Sequence, residues 1–274
     1  MDFLPKPGTI GDEAMKVLCI GDVVGKPGRK ALADHLSTLV KSAAVDLVIA
    51  NIENASGGFG PEPKAMEELM ALPIHVFTTG SHIWDKKEFV SALDLYPMVI
   101  RPANYPPRNP GRGWLVHDLP DGRRAAVIQL QGRVFMETLD CPFRALDAIL
   151  SEIPPEVPVL VDFHAEATSE KQAFGHYADG RVSAVFGTHT HVPTADARVL
   201  SGGTGYLTDA GMCGAYDSVI GFDKAIILQR FLRQTPIRFE VARGPAHLSG
   251  VLFDISDSGR RCMKATYILR PESF

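Results

Sequence analysis

The chain has 274 residues, 45% hydrophobic and 22% charged, enough for a sizeable α/β core. Its net charge of −4 and pI near 6.1 exclude a global basic field that would recruit long nucleic acid or an anionic membrane, so a small anionic substrate needs a local positive centre. Four scattered cysteines, Cys19, Cys141, Cys213 and Cys262, make no CxxC pair, and no apolar run approaches the roughly 18 residues of a membrane span.

Residues 1–14 contain Pro and Gly and lack a signal-peptide core, and they are expected to be a flexible extension. The rest, 15–274, shows no repeat and no linker and is expected to be one domain. Residues 17–20 form a short apolar strand running into Gly21-Asp22-Val23-Val24-Gly25. Pro27 opens a helical stretch with Leu32, Leu36, Leu39 and Val40 at helical spacing. A second strand at 46–51 ends at Glu53-Asn54 and a Gly-rich loop, 56–60. A helix at 61–70 and a strand at 75–79 follow, then Gly80-Ser81-His82 and a helix expected to be capped by Asp85.

Residues 101–107 make a Pro-rich connector. Antiparallel strands at 114–117 and 125–130 flank the Asp121-Gly122 turn. A helix near 143–150 precedes an apolar strand, 157–163, that ends at His164-Ala165-Glu166. A helix over 168–177 leads to the strand 182–186 and to Gly187-Thr188-His189-Thr190-His191. Strands at 197–200 and 205–207, Asp209 to Gly214, a helix near 224–233 and β-rich segments at 237–241, 248–255 and 262–269 close the chain. Strand, loop and helix alternate, which implies βαβ units and a layered α/β fold.

In such folds ligands bind beyond the carboxyl ends of the parallel strands. Asp22, Glu53, Asn54, Ser81, His82, His164, His189 and His191 all fall there. Two carboxylates, an amide oxygen and several imidazoles suit borderline-to-hard divalent ions such as Mn, Fe or Zn. Without a cysteine among them, a structural zinc is disfavoured. A bridging carboxylate holds two such ions about 3.5–4 Å apart, an arrangement that favours phosphoester hydrolysis over redox chemistry.

These motifs together resemble the calcineurin-like metallophosphoesterases, specifically the bacterial branch of the YmdB type. Matching segments include Gly21 to Gly25, Asn51 to Asn54, Gly80 to Lys87, Arg101 to Asn104, Asp162 to Lys171, Gly187 to His191 and Asp209 to Met212. The resemblance implies a four-layer α/β/β/α metallophosphoesterase sandwich. It implies one metal on Asp22, Glu53, Asn54 and His191 and a second on Glu53, the residue at 81, His164 and His189, with Fe or Mn the foremost ions and Zn or Mg the alternatives. Glu53 would bridge, and His82 would assist the leaving oxygen. Relatives carry Gly-Asn-His where this chain has Gly80-Ser81-His82, so the second site is expected to be looser, completed by water or partly empty.

The implied activity is hydrolysis of phosphodiesters such as 2′,3′-cyclic nucleotides by a metal-bound hydroxide, and the unpaired cysteine pattern fits a reducing cytoplasm. The alternatives are a phosphomonoesterase or nucleotidase, and a weakly active regulatory relative with a degraded second site. The expected partner is a small phosphodiester; short RNA and a homo-oligomer stay open, and no membrane is expected. Glu166 or Asp162 could orient the His164 imidazole. Trp84 and Phe59 are candidates for base stacking or for packing, and Arg101 for phosphate contact or an ion pair.

Overall fold

The computed structural model describes residues 14–256 and 259–272, so the expected extension lies outside the described residues apart from Ala14. The elements in order are β1 (Met15–Ile20), β2 (Asp22–Val23), α1 (Gly25–Ala43), β3 (Leu47–Asn51), α2 (Pro63–Met70), β4 (Val76–Thr78), α3 (Lys87–Ala92), β5 (Trp114–Asp118) and β6 (Arg124–Gln131). They continue with α4 (Pro142–Leu150), β7 (Val159–His164), α5 (Thr168–Ala178), β8 (Ala184–Thr188), β9 (Arg198–Val199), β10 (Gly205–Leu207), β11 (Met212–Ala215), α6 (Lys224–Arg233), β12 (Ala246–Ile255) and β13 (Cys262–Arg270).

Two sheets result. The first runs β2-β11-β12-β1-β3-β4, with β13 also on β12; the second runs β5-β6-β7-β8-β10-β9. Strands β1, β3 and β4 are mutually parallel, as are β6, β7, β8 and β10. Their near-continuous apolar character follows from burial on both faces.

Alternation along β1 shows how the layers form. Leu18 and Ile20 face Leu32, Leu36 and Phe89 in the core beneath α1 to α3. Val17 and Cys19 face the second sheet through Ile49, Leu160, Phe186 and Val251. On the far side, Val161 and Phe163 of β7 pack with Leu146, Ile149 and Phe174 of α4 and α5. Three apolar cores between four layers make the α/β/β/α sandwich. The same period-2 rule turns Asp162 and His164 to the face that Leu160 presents to the first sheet.

Several boundaries differ from the sequence expectation. The helix α1 begins two residues before Pro27. Asp85 does not cap a following helix: it ends the 3-10 turn Ser81–Trp84, and α3 starts after Lys86. Residues 237–241 form no regular strand; Val241 makes an isolated bridge to Phe222. Cys19, Cys213 and Cys262 are buried thiols and Cys141 is half-buried, all four unpaired. Among the described residues no helix is long and apolar enough to cross a membrane.

Candidate metal centre

The carboxyl ends of the parallel strands of both sheets meet at one place. Asp22 follows β1, Glu53 and Asn54 follow β3, Gly80 lies just past β4, His164 ends β7, and His189 and His191 follow β8. Asp22, Glu53, Asn54, His164 and His191 are buried, whereas Ser81, His82 and His189 are partly open.

Glu53, His164 and His189 each bring a ligand atom within 4.8 Å of the others. Glu53 Oε1 lies 3.0 Å from His164 Nε2, which is 3.1 Å from His189 Nδ1. The outer nitrogen of each imidazole has its own partner. Thr188 Oγ1 donates to Asp162 Oδ1 at 2.7 Å and so accepts from His164 Nδ1 at 2.9 Å. Glu166 Oε2 is 3.2 Å from His189 Nε2. Such outer partners fix ring orientation and direct the other lone pair inward. The expected acidic helpers therefore divide their work: Asp162 acts on His164 through Thr188, and Glu166 serves His189.

A second convergence adjoins the first. His191 Nδ1 donates to the Ile220 carbonyl at 2.8 Å, which leaves the Nε2 lone pair of the neutral ring facing Asn54 Oδ1 at 3.2 Å and Asp22 Oδ1 at 3.9 Å. The Asn54 amide is oriented by donating from Nδ2 to the Gly58 carbonyl at 2.9 Å. Asp22 Oδ2 accepts the His189 N–H at 3.0 Å, but Oδ1 is buried without a hydrogen-bond partner. With Nδ1 as the donor, three acceptor atoms thus face one another. A buried acceptor left unpaired is costly, and a cation would satisfy all three.

Electrostatics agree. Burial pushes the His164 ring toward neutrality, but the adjoining Glu53 and Asp22 carboxylates outweigh it and raise the ring to about 9. Glu53 is held down to about 2, because His164 and the His82 N–H overcome its burial. Burial and the neighbouring His164 lower His189 to about 3. Burial also raises Asp22, opposed by His191 and His164.

Gly80 is packed too closely against the centre to carry a side chain. A Cβ on Gly80 would overlap Glu53 Oε2 and His164 Nε2. Ser81 opens the turn that follows, and the His82 N–H donates to Glu53 Oε2 at 3.0 Å. The His82 ring borders the pocket, with Nδ1 2.8 Å from Asp85 Oδ2 and the ring set T-shaped to Phe59. By donor chemistry and enclosure, the group fits divalent metal.

Residues 18–268 match the sequence profile of the YmdB-like proteins. The chain belongs to that family. It is 45% identical over 256 residues to the 2′,3′-cyclic-nucleotide 2′-phosphodiesterase of Bacillus subtilis, covering 93% of this chain and 97% of that protein. A crystal structure of a hypothetical protein from Thermus thermophilus superposes with a TM-score of 0.88 at 44% identity, covering 93% of this chain and 98% of the other. A phosphatase structure from Mycoplasma pneumoniae gives 0.89 at 33% identity over 94% of each chain. The expected fold and enzyme class, a metallophosphoesterase, both hold.

Other expectations change. Arg101 is buried and, among the described residues, forms no ion pair: it donates to the carbonyls of Pro102, Asn109 and Pro110 and clips the Pro-rich connector. Trp84 packs against Tyr105, with ring centroids 5.3 Å apart. Two supports escaped the sequence reading. The buried Lys171 Nζ donates to the Thr188 carbonyl and pairs with Asp209, whose carboxylate also accepts the N–H groups of Thr190 and Gly211. That network braces a loop in which His189 and His191 have φ of 96° and 64°, unusual for residues with a Cβ. Ile220 and Phe222 line the cleft from a distant segment. A buried lysine pairing with Asp209 carries no local sequence signal.

Proposed function

We propose that this chain is a phosphodiesterase acting on 2′,3′-cyclic nucleotides in the cytoplasm, built as one domain from Met15 onward. Two divalent ions, Fe or Mn foremost, would be held by Asp22, Glu53, Asn54 and His191 and by Glu53, Ser81, His164 and His189. The observation that carries this reading is the inward convergence of His191 Nε2, Asn54 Oδ1 and the orphaned Asp22 Oδ1 beside the Glu53–His164–His189 cluster. Similarity to the Bacillus subtilis phosphodiesterase supports the substrate class.

When bound, the ions supply positive charge at the phosphate and a water of lowered pKa. The chain's own residues do the rest. Asp162 through Thr188, Glu166 and the Ile220 carbonyl hold three imidazoles with their inner nitrogens fixed. Asp85 occupies His82 Nδ1, leaving Nε2 to hand a proton to the departing ribose oxygen. The loop 56–60 closes one side of the cleft through Gly58 and Phe59.

The test is hydrolysis of 2′,3′-cyclic AMP by chelator-treated protein with Mn, Fe(II), Zn or Mg restored separately and His189→Ala as control. Metal-dependent turnover that the variant loses supports the reading. Tight binding of an ion with no turnover of any diester overturns it and favours a regulatory relative.

A further inference from the structure

The cleft over the centre has a volume of about 280 Å³ and two unlike halves. Seven of its eleven lining residues, Glu53, Asn54 and His82 among them, form the polar half, and Gly58, Phe59, Ile220 and Phe222 the apolar half. A phosphate accounts for the first half only. We propose that Ile220, with Phe59 and Phe222, is the wall against which the nucleobase of the substrate lies, an assignment that rests on the nucleotide reading above.

The backbone at Ile220 is the starting point. Val219 and Phe222 exchange two hydrogen bonds of 3.0 Å around a two-residue turn, Ile220-Gly221. Both turn residues have positive φ, 48° and 95°. Turns of this kind favour Asn-Gly or Asp-Gly, and a β-branched residue at the first position is an outlier. Gly221 is explained by its setting, since a Cβ there would come within 2.7 Å of Val24 Cγ1. The isoleucine is not so explained.

Three roles could justify it. The Ile220 carbonyl accepts from His191 Nδ1, but any residue supplies that carbonyl. Core packing does not apply, because Ile220 is 45% exposed. What remains is the contact its side chain offers to a ligand in the cleft. Strain retained at a pocket wall points to such a use.

The neighbouring rings make the wall rigid. Phe59 meets the His82 ring at 5.1 Å and Phe222 at 5.5 Å, and Phe222 is backed by Phe239 at 5.5 Å. Phe59 also follows Gly58, whose carbonyl holds the Asn54 amide. The wall is therefore tied to the atoms that would position the phosphate. These side chains donate no hydrogen bonds, so they select for the presence of a base and discriminate weakly among the four.

The decisive variant is Ile220→Asn, which keeps the carbonyl and installs a residue that the turn favours. Two measurements are paired on the Mn-reconstituted protein. One is the affinity for adenosine 3′-monophosphate by titration calorimetry. The other is the ratio of kcat/KM for 2′,3′-cyclic AMP to that for methyl riboside 2′,3′-cyclic phosphate, which has no base.

The wall predicts that affinity and ratio each fall about tenfold, while the thermal midpoint stays level or rises; Ile220→Val, still apolar, stays near wild type in both. Unchanged affinity and ratio in a folded Ile220→Asn protein overturn the proposal, as does a wild-type protein that binds no adenosine 3′-monophosphate. Should the wild type hydrolyse neither ester yet bind the nucleotide in an Ile220-dependent way, the phosphodiesterase reading fails and the wall stands. If Ile220→Asn fails to fold, Ile220→Gly, which suits the same backbone, replaces it with the same expected losses.

Discussion

Glu53 Oε1 and His164 Nε2 lie 3.0 Å apart with both side chains buried, and each shifts the other toward its charged form. In metal-free protein the His164 contribution to stability is complete below its ordinary 6.5 and is lost as pH rises through about 9. The Glu53 contribution is complete above its ordinary 4.5 and is lost as pH falls through about 2. The pair's contribution is therefore greatest between these two ordinary values, and the thermal midpoint of chelator-treated protein should decline as pH rises from 6.5 toward 9. A midpoint that climbs over the alkaline range would contradict the pairing. Metal must displace the His164 proton, so ion affinity should rise about tenfold per pH unit below 9.

Gly80→Ala should empty the centre without unfolding the protein. The new Cβ competes for space with Glu53 Oε2 and His164 Nε2. Metal content after reconstitution, read by elemental analysis, should fall at least tenfold relative to wild type. Full metal retention would show that the strand end at Gly80 shifts freely.

Ser81→Asn exchanges a short hydroxyl for an amide oxygen at the position proposed to hold the second ion with Glu53, His164 and His189. The second ion should then bind about tenfold more tightly, with the first unaffected. Stepwise metal titration separates the two. Unchanged binding would mean that water or another group already completes that shell.

His82→Ala should reveal its role through the leaving group. Loss of a positioned proton donor costs about 10²–10⁴ in rate. The loss should be full for 2′,3′-cyclic AMP, whose ribose oxygen must be protonated, and small for bis-p-nitrophenyl phosphate, whose phenolate leaves unaided. Equal losses on both esters would assign His82 to phosphate binding.

Lys171→Met leaves the Asp209 carboxylate buried without its cation and should destabilise the protein by about 3–5 kcal/mol in urea denaturation. The double change Lys171→Met with Asp209→Asn removes both charges and should recover part of that loss. If the single variant matched wild type, the pair would not brace the histidine loop.

The sequence alone determined the layered fold and the collection of candidate residues at strand ends. Both are written locally: apolar runs fix strands such as residues 17–20, and Asp22, Glu53 and His164 stand at or just past the point where such a run stops. Tertiary structure alone decided which atoms face which. Asn54 Oδ1 meets His191 Nε2 across 137 residues of chain, and the Asn51 amide meets Asp162 across 111. The same long-range folding buries Lys171 on Asp209, withdraws Arg101 from solvent and sets a strained Ile220 over the cleft. The tautomer and aim of each imidazole depend on these partners, because a ring nitrogen points its lone pair inward only when its twin is given a distant acceptor.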